Sequence, residues 1–153
     1  MRPVVVIAAP TAAITLLAGC ASGVGLSEVK IVLDGEPHTL AAHVTCTRFP
    51  DGNLLIYASP SATDHRRSVR VMLATTHRLV VTAAGFRIPE ANGFTKDSRE
   101  MTAIKVDDDY TITGRMPTDE RGTGWRQVKI EIACPGYQRP NGPPDTVPAI
   151  GSP

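Results

Sequence analysis

No apolar run in this 153-residue chain is long enough to cross a bilayer: the longest, Val4 to Leu17, has 14 residues, against the roughly 20 a spanning helix needs. Aromatic residues are scarce at 5%, which together with frequent glycine and proline argues against a helical bundle. Neither sign of charge dominates, with 16 basic and 15 acidic residues. Nucleic acid is therefore not an expected partner, because binding it requires clustered positive charge. Gly-x-Ser-x-Gly, His-Glu-x-x-His, Walker and dinucleotide-binding patterns are all missing, which leaves an envelope hydrolase without a motif to carry it. Only three cysteines occur, none near a histidine or another cysteine at zinc-finger spacing, so no metal or other cofactor is expected.

What is present begins at the N-terminus. Met1-Arg2-Pro3 supplies a small positive start, the apolar run follows, and Leu17-Ala18-Gly19-Cys20 closes it. This is the layout of a secretory signal peptide. The last four residues resemble the bacterial lipobox, in which the cysteine thiol takes a diacylglyceryl group and cleavage falls just before it. Cys20 is thus the expected lipidation site, and the membrane a partner through acyl chains on it. The plainer alternative is an ordinary signal peptide that happens to end near a cysteine. The expected order is a signal peptide at 1–19, a lipidated N-terminus and short tether at 20–27, a folded domain at 28–134 and a proline-rich disordered tail at 135–153.

Removing residues 1–19 leaves 134 residues, with basic and acidic residues in balance. That length supports one domain with a real core. Frequent glycine and proline, 13 of each, suit short strands joined by turns. Glu28 to Leu33 alternates, and Asp34-Gly35 supplies a turn. Leu40, Ala42, Val44 and Cys46 share one face of a second strand. Pro50-Asp51-Gly52-Asn53 turns the chain into a nearly all-apolar third, Leu54 to Ala58. Thr63 to Arg67 has the cap and acidic start of a short helix. Alternating Val69, Val71 and Leu73 favour a strand instead. Arg78 to Phe86 reads as β, and Ile88 to Asp97, with Pro89 and Asn92-Gly93, as a loop. Met101 to Val106 and Tyr110 to Arg115 form a hairpin about Asp107-Asp108-Asp109. Val128, Ile130, Ile132 and Cys134 line one face of the final strand. The fold expected is all-β: a single antiparallel sandwich or curved sheet of about seven to eight strands.

With Cys20 assigned to lipid, Cys46 and Cys134 remain. Each is in phase with the apolar face of its strand, and export removes the reducing pressure on thiols. A disulfide between them is expected, the alternative being two buried free thiols. The other candidate residues read as structural. Asp107-Asp108-Asp109 lacks the spacing, central glycine and closing glutamate of a calcium loop, and fits a solvated turn. His38 and His43 stand on opposite faces of one strand, and His65 and His77 stand alone. Arg66, Arg67 and Arg70 form a small basic cluster that suits anionic headgroups or, preferably, a charged strand edge. Trp125 is expected at the core or its rim.

Taken in order, Lys30-Ile31-Val32-Leu33-Asp34-Gly35, His43-Val44-Thr45-Cys46-Thr47, Gly52-Asn53, Tyr110-Thr111-Ile112-Thr113-Gly114 and Lys129-Ile130-Glu131-Ile132-Ala133-Cys134 resemble the mycobacterial 19 kDa lipoprotein antigen family. The resemblance implies a lipid-anchored protein of the cell envelope, without enzymatic activity, recognised by host innate immune receptors through its acylated cysteine. Two departures stand out: the family's long Ser/Thr/Gly-rich linker is reduced to a short tether, and the tail beyond Cys134 is additional. The alternative function is a module that carries an envelope lipid or glycolipid in an apolar cavity between sheets.

Overall fold

The computed structural model describes residues 25–119 and 121–141. Ten strands follow one another: β1 Ser27–Leu33, β2 Glu36–Arg48, β3 Asn53–Ser59, β4 Ser68–Ala74, β5 Val80–Ile88, β6 Ala91–Thr95, β7 Met101–Val106, β8 Asp109–Pro117, β9 Trp125–Ala133 and β10 Tyr137–Gln138. No helix occurs among the described residues. The strands form one continuous antiparallel sheet in the order β6-β5-β4-β3-β2-β1-β9-β8-β7, with β10 parallel to β2 off that path.

Curvature comes from β2, which is 13 residues long and changes partner along its length. Residues up to Ala42 pair with β1, and residues from His43 onward pair with β3. The sheet therefore bends at Ala42-His43, and its two halves close over one core. Their far ends meet where β6 approaches β8 and β5 approaches β7. Alternation along each strand sets the inner face. Val29, Ile31, Leu40, Ala42, Ile56, Val69, Val71, Leu73, Ile112 and Ile130 are buried, as are Phe86 and Met116. These are mainly β-branched and aliphatic side chains, and they hold the halves together through apolar area removed from water.

The turns explain where strands stop. Asp34 (φ 50°) and Gly35 (φ 92°) both take positive φ, the geometry of a two-residue type I′ hairpin. The Asp34 carboxylate also accepts the Gln127 N–H at 2.8 Å, tying that turn to β9. At Thr63 to Arg67 no helix forms. The Asp64 carboxylate accepts the Arg66 and Arg67 N–H groups at 2.9 and 3.2 Å and the Arg67 guanidinium at 3.0 Å. It thereby closes a local turn instead of starting a helical one.

Two strands lie outside the sequence reading, which makes ten where seven to eight were expected. The stretch Ile88 to Asp97, read as a loop, contains β6. Pro89-Glu90 is the whole turn, since Ile88 pairs with Ala91. Asn92-Gly93, taken as a turn signal, lies inside the strand. A Cβ on Gly93 would stand 2.7 Å from the ring of its cross-strand partner Phe86, so this glycine serves close packing against that ring. The second is β10, within the stretch assigned by composition to the tail: Tyr137 pairs with Cys46 and Gln138 with Thr47. The residues from 142 on lie outside the described chain, as do residues 1–24, Cys20 among them. The basic cluster also needs revising. Arg70 is on β4, an interior strand between β3 and β5, so it guards no edge; it lies over the Tyr57 ring at 5.1 Å.

Candidate functional site

The strand registers bring one set of ends together. β1 runs antiparallel to β9, so Ser27 begins beside the end of β9. The end of β9 meets the β7–β8 turn, where Asp109 pairs with Ala133 and with Val106. Cys134, one residue on, is disulfide-bonded to Cys46 near the end of β2, with Cα atoms 5.9 Å apart across 88 residues of sequence. Both cysteines are buried, and the bond joins the two halves of the sheet. At this end the β2–β3 turn, the β4–β5 connection and the β7–β8 hairpin converge.

Beside the disulfide stands a short polar chain. Tyr137 donates its hydroxyl proton to Asp108 Oδ1 at 2.9 Å, so the 2.9 Å contact between the Tyr110 and Tyr137 hydroxyls must be a donation from Tyr110. Burial, then the Tyr137 hydroxyl, push the Tyr110 phenol above its usual pKa, so that this phenol keeps its proton and donates it. The Arg48 guanidinium lies over the Tyr137 ring at 3.8 Å. Gln138 adds a bond from Nε2 to Thr47 Oγ1 at 3.3 Å. These contacts account for β10: once Cys134 is tethered to β2, the next residues have partners waiting there.

Between the three converging loops is a cleft of about 460 Å³. Arg48, Arg78 and Lys105 bring its charge, His77 a further polar group, Phe49, Leu54 and Leu79 its apolar wall, and Tyr110 also lines it. No aspartate or glutamate lines it. The loops are pinned to one another: Gly52 O accepts both the backbone N–H and the hydroxyl of Thr75, at 2.9 and 2.8 Å. Gly52 has φ 84°, a conformation glycine adopts without strain. The carboxylates touching lining residues are engaged locally. Asp51 accepts the Asn53 N–H at 2.9 Å and its side-chain amide at 2.6 Å. Asp108 holds Tyr137 and lies 3.8 Å from the Lys105 ammonium, which also donates to the Asp107 carbonyl.

The sequence-stated candidates are thus dispersed. Cys46 and Cys134 meet, and Cys20 lies outside the described residues. Asp107-Asp108-Asp109 is a tight hairpin turn with Asp107 at φ 53°, its middle carboxylate committed to Tyr137. His38 and His43 pair with Ile31 and Ser59, on different halves of the sheet. His65 accepts the Arg87 guanidinium through its backbone carbonyl at 3.1 Å, and only His77 reaches the cleft. Trp125 is a half-exposed rim residue with the Arg115 guanidinium over its ring at 4.7 Å. The cleft cations escaped sequence reasoning because Arg48, Arg78 and Lys105 follow one another at intervals of 30 and 27 residues. Nothing in local spacing announces them.

Comparison with curated proteins found no match. A family model does match: that of the Mycobacterium 19 kDa lipoprotein antigen, over residues 22–134. The matched segment contains all of β1 to β9 and ends on the second cysteine of the disulfide. The chain belongs to the Mycobacterium 19 kDa lipoprotein antigen family.

Proposed function

We propose that this chain is exported and held on the outer face of the cell membrane by acyl chains on Cys20, as a non-enzymatic envelope antigen that meets host innate immune receptors through its acylated N-terminus. On this reading residues 1–19 are removed and residues 20–27 form the tether. The single observation that carries it is Leu17-Ala18-Gly19-Cys20 closing a short apolar segment, immediately before the match to a family of lipoprotein antigens. Each buried methylene contributes about 0.8 kcal/mol, and a second chain turns reversible binding into stable anchoring. Six residues lie between Cys20 and Ser27, and the seven steps reach at most about 25 Å. The domain would therefore ride close to the lipid surface.

Detergent-phase partitioning of the protein from a mycobacterial host tests the anchor. The wild-type chain should enter the detergent phase, and Cys20→Ser should move to the aqueous phase or retain its signal segment. Identical partitioning and processing of the two would refute the anchor. Receptor reporter cells test the second half, since signalling should require Cys20; signalling by the Cys20→Ser protein at the wild-type dose would refute that role. The packing supports this reading over a lipid carrier with a cavity between sheet halves. Ile31, Ile56, Ile112, Met116 and Ile130 fill that space and are fully buried.

A further inference from the structure

We propose that the cleft at the tethered end of the domain is a binding site for a phosphate group, carried either by the headgroup of an anionic lipid or by a free organic phosphate. Arg48, Arg78 and Lys105 are gathered round one concave surface with His77 and without a lining carboxylate. In a chain with almost equal numbers of acids and bases, a concave surface lined by one sign only focuses the field on whatever enters. Like charges held together raise one another's energy, and an entering anion relieves this.

Arg48 is prepared for such a ligand. Its guanidinium carbon lies over the Tyr137 ring, 3.8 Å from the centroid, and that ring is fixed by the hydroxyl chain to Tyr110 and Asp108. Stacking orients the plane while leaving the N–H edge open to make paired bonds to a phosphate. Arg78 lies on the exposed β4–β5 connection, with no hydrogen bond or ion pair among the described residues. Phe49, Leu54 and Leu79 face the same space and suit the carbon skeleton next to the phosphate. The volume falls in the usual range for small-ligand sites. Ser27, where the tether enters, begins at this same end of the sheet, which brings lipid headgroups within reach of the cleft.

The experiment uses the full-length chain in neutral detergent and phosphate-free buffer, following the arginine side-chain N–H resonances. One arm titrates glycerol 1-phosphate. The other adds phosphatidylglycerol to the micelles at equal phosphate concentration, and sodium chloride at matched ionic strength controls for screening. The expected result is saturable movement of the Arg48 and Arg78 resonances. Arg78→Gln should weaken binding by about tenfold, the size of one lost charge-assisted hydrogen bond, with the ligand-free melting temperature unchanged. Arg48→Lys, which keeps the charge and loses the guanidinium's paired donors, should also weaken it. Saturation by both probes, or by one alone, supports the site and identifies the source of the phosphate. Absence of saturation with either probe, the same movement with chloride, or full affinity in Arg78→Gln would overturn it. Since the glycerol phosphate arm needs no acyl chain, failure of the anchor and failure of the cleft are separate results.

Discussion

The hydroxyls of Tyr110 and Tyr137 meet at 2.9 Å although 27 residues separate them in the chain, and Tyr137 passes the bond on to Asp108. This contact seats the segment after Cys134 against β2 and holds the ring on which Arg48 rests. Tyr137→Phe removes the shared hydroxyl, leaving Tyr110 with a buried donor. A loss of about 1–3 kcal/mol is expected, with faster amide exchange at Tyr137 and Gln138. Denaturant unfolding and hydrogen exchange measure the two effects. Unchanged exchange there would mean that the hydroxyl chain does not hold β10.

Joining Cys46 to Cys134 closes a loop of 88 residues. Loop-entropy reasoning gives about 4–5 kcal/mol for that size, less any distortion of the native geometry. Reduction, or Cys46→Ala with Cys134→Ala, should lower the unfolding free energy by an amount comparable to the whole net stability of a small domain. Non-reducing peptide mapping of the exported protein should recover the two cysteine peptides as one species. Free thiols at both positions would show that the bond is not made in the cell.

Gly93 faces the Phe86 ring and, at 3.2 Å from a would-be Cβ, the Met116 sulfur. Gly93→Val forces both aside, an overpacking cost of about 1–3 kcal/mol. Loosening should be greatest in β6, which is an end strand of the sheet and has one partner to hold it. Chemical denaturation with residue-level exchange checks both statements. A variant as stable as wild type would show that β6 is not seated on Phe86.

Acid should weaken the start of β7. The Arg115 guanidinium bonds the Glu100 carboxylate, one contact being Nη2 to Oε1 at 3.1 Å, and that bond holds the Glu100 pKa below its ordinary value. Asp97 is lowered in the same way by Arg99. Carboxylates with depressed folded-state pKa values contribute stability above their unfolded pKa and lose it as pH falls through the folded value. The melting temperature should therefore hold near neutrality and decline below about pH 5. Glu100→Gln should make that decline shallower while costing little at low pH. An acid limb identical to wild type would assign the effect to other carboxylates.

Ile130 belongs to the core cluster, is fully buried and lies between β1 and β8 in the sheet. Ile130→Ala should cost about 2–5 kcal/mol, read by equilibrium unfolding. A cost under 1 kcal/mol would mean that the halves of the sheet are less closely packed than described.

Much of this protein was determined by the sequence alone, where the signal is local. Alternating apolar residues set the inner faces of β1, β2, β4 and β9, because side chains in a strand alternate by geometry. Asp34-Gly35 announced its hairpin, since few residue pairs accept positive φ twice. Leu17-Ala18-Gly19-Cys20 is also a short contiguous string, but it lies outside the described residues and its lipidation rests on the proposal above. Tertiary structure decided the rest. Gly93 looks like a turn residue until Phe86 is placed against it. Tyr137-Gln138 looks like tail until the disulfide carries it back to β2. Arg48, Arg78 and Lys105 share a cleft only because β2 bends the sheet and brings three distant loops to one end. Such juxtapositions depend on long-range pairing, whose partners a local pattern cannot specify.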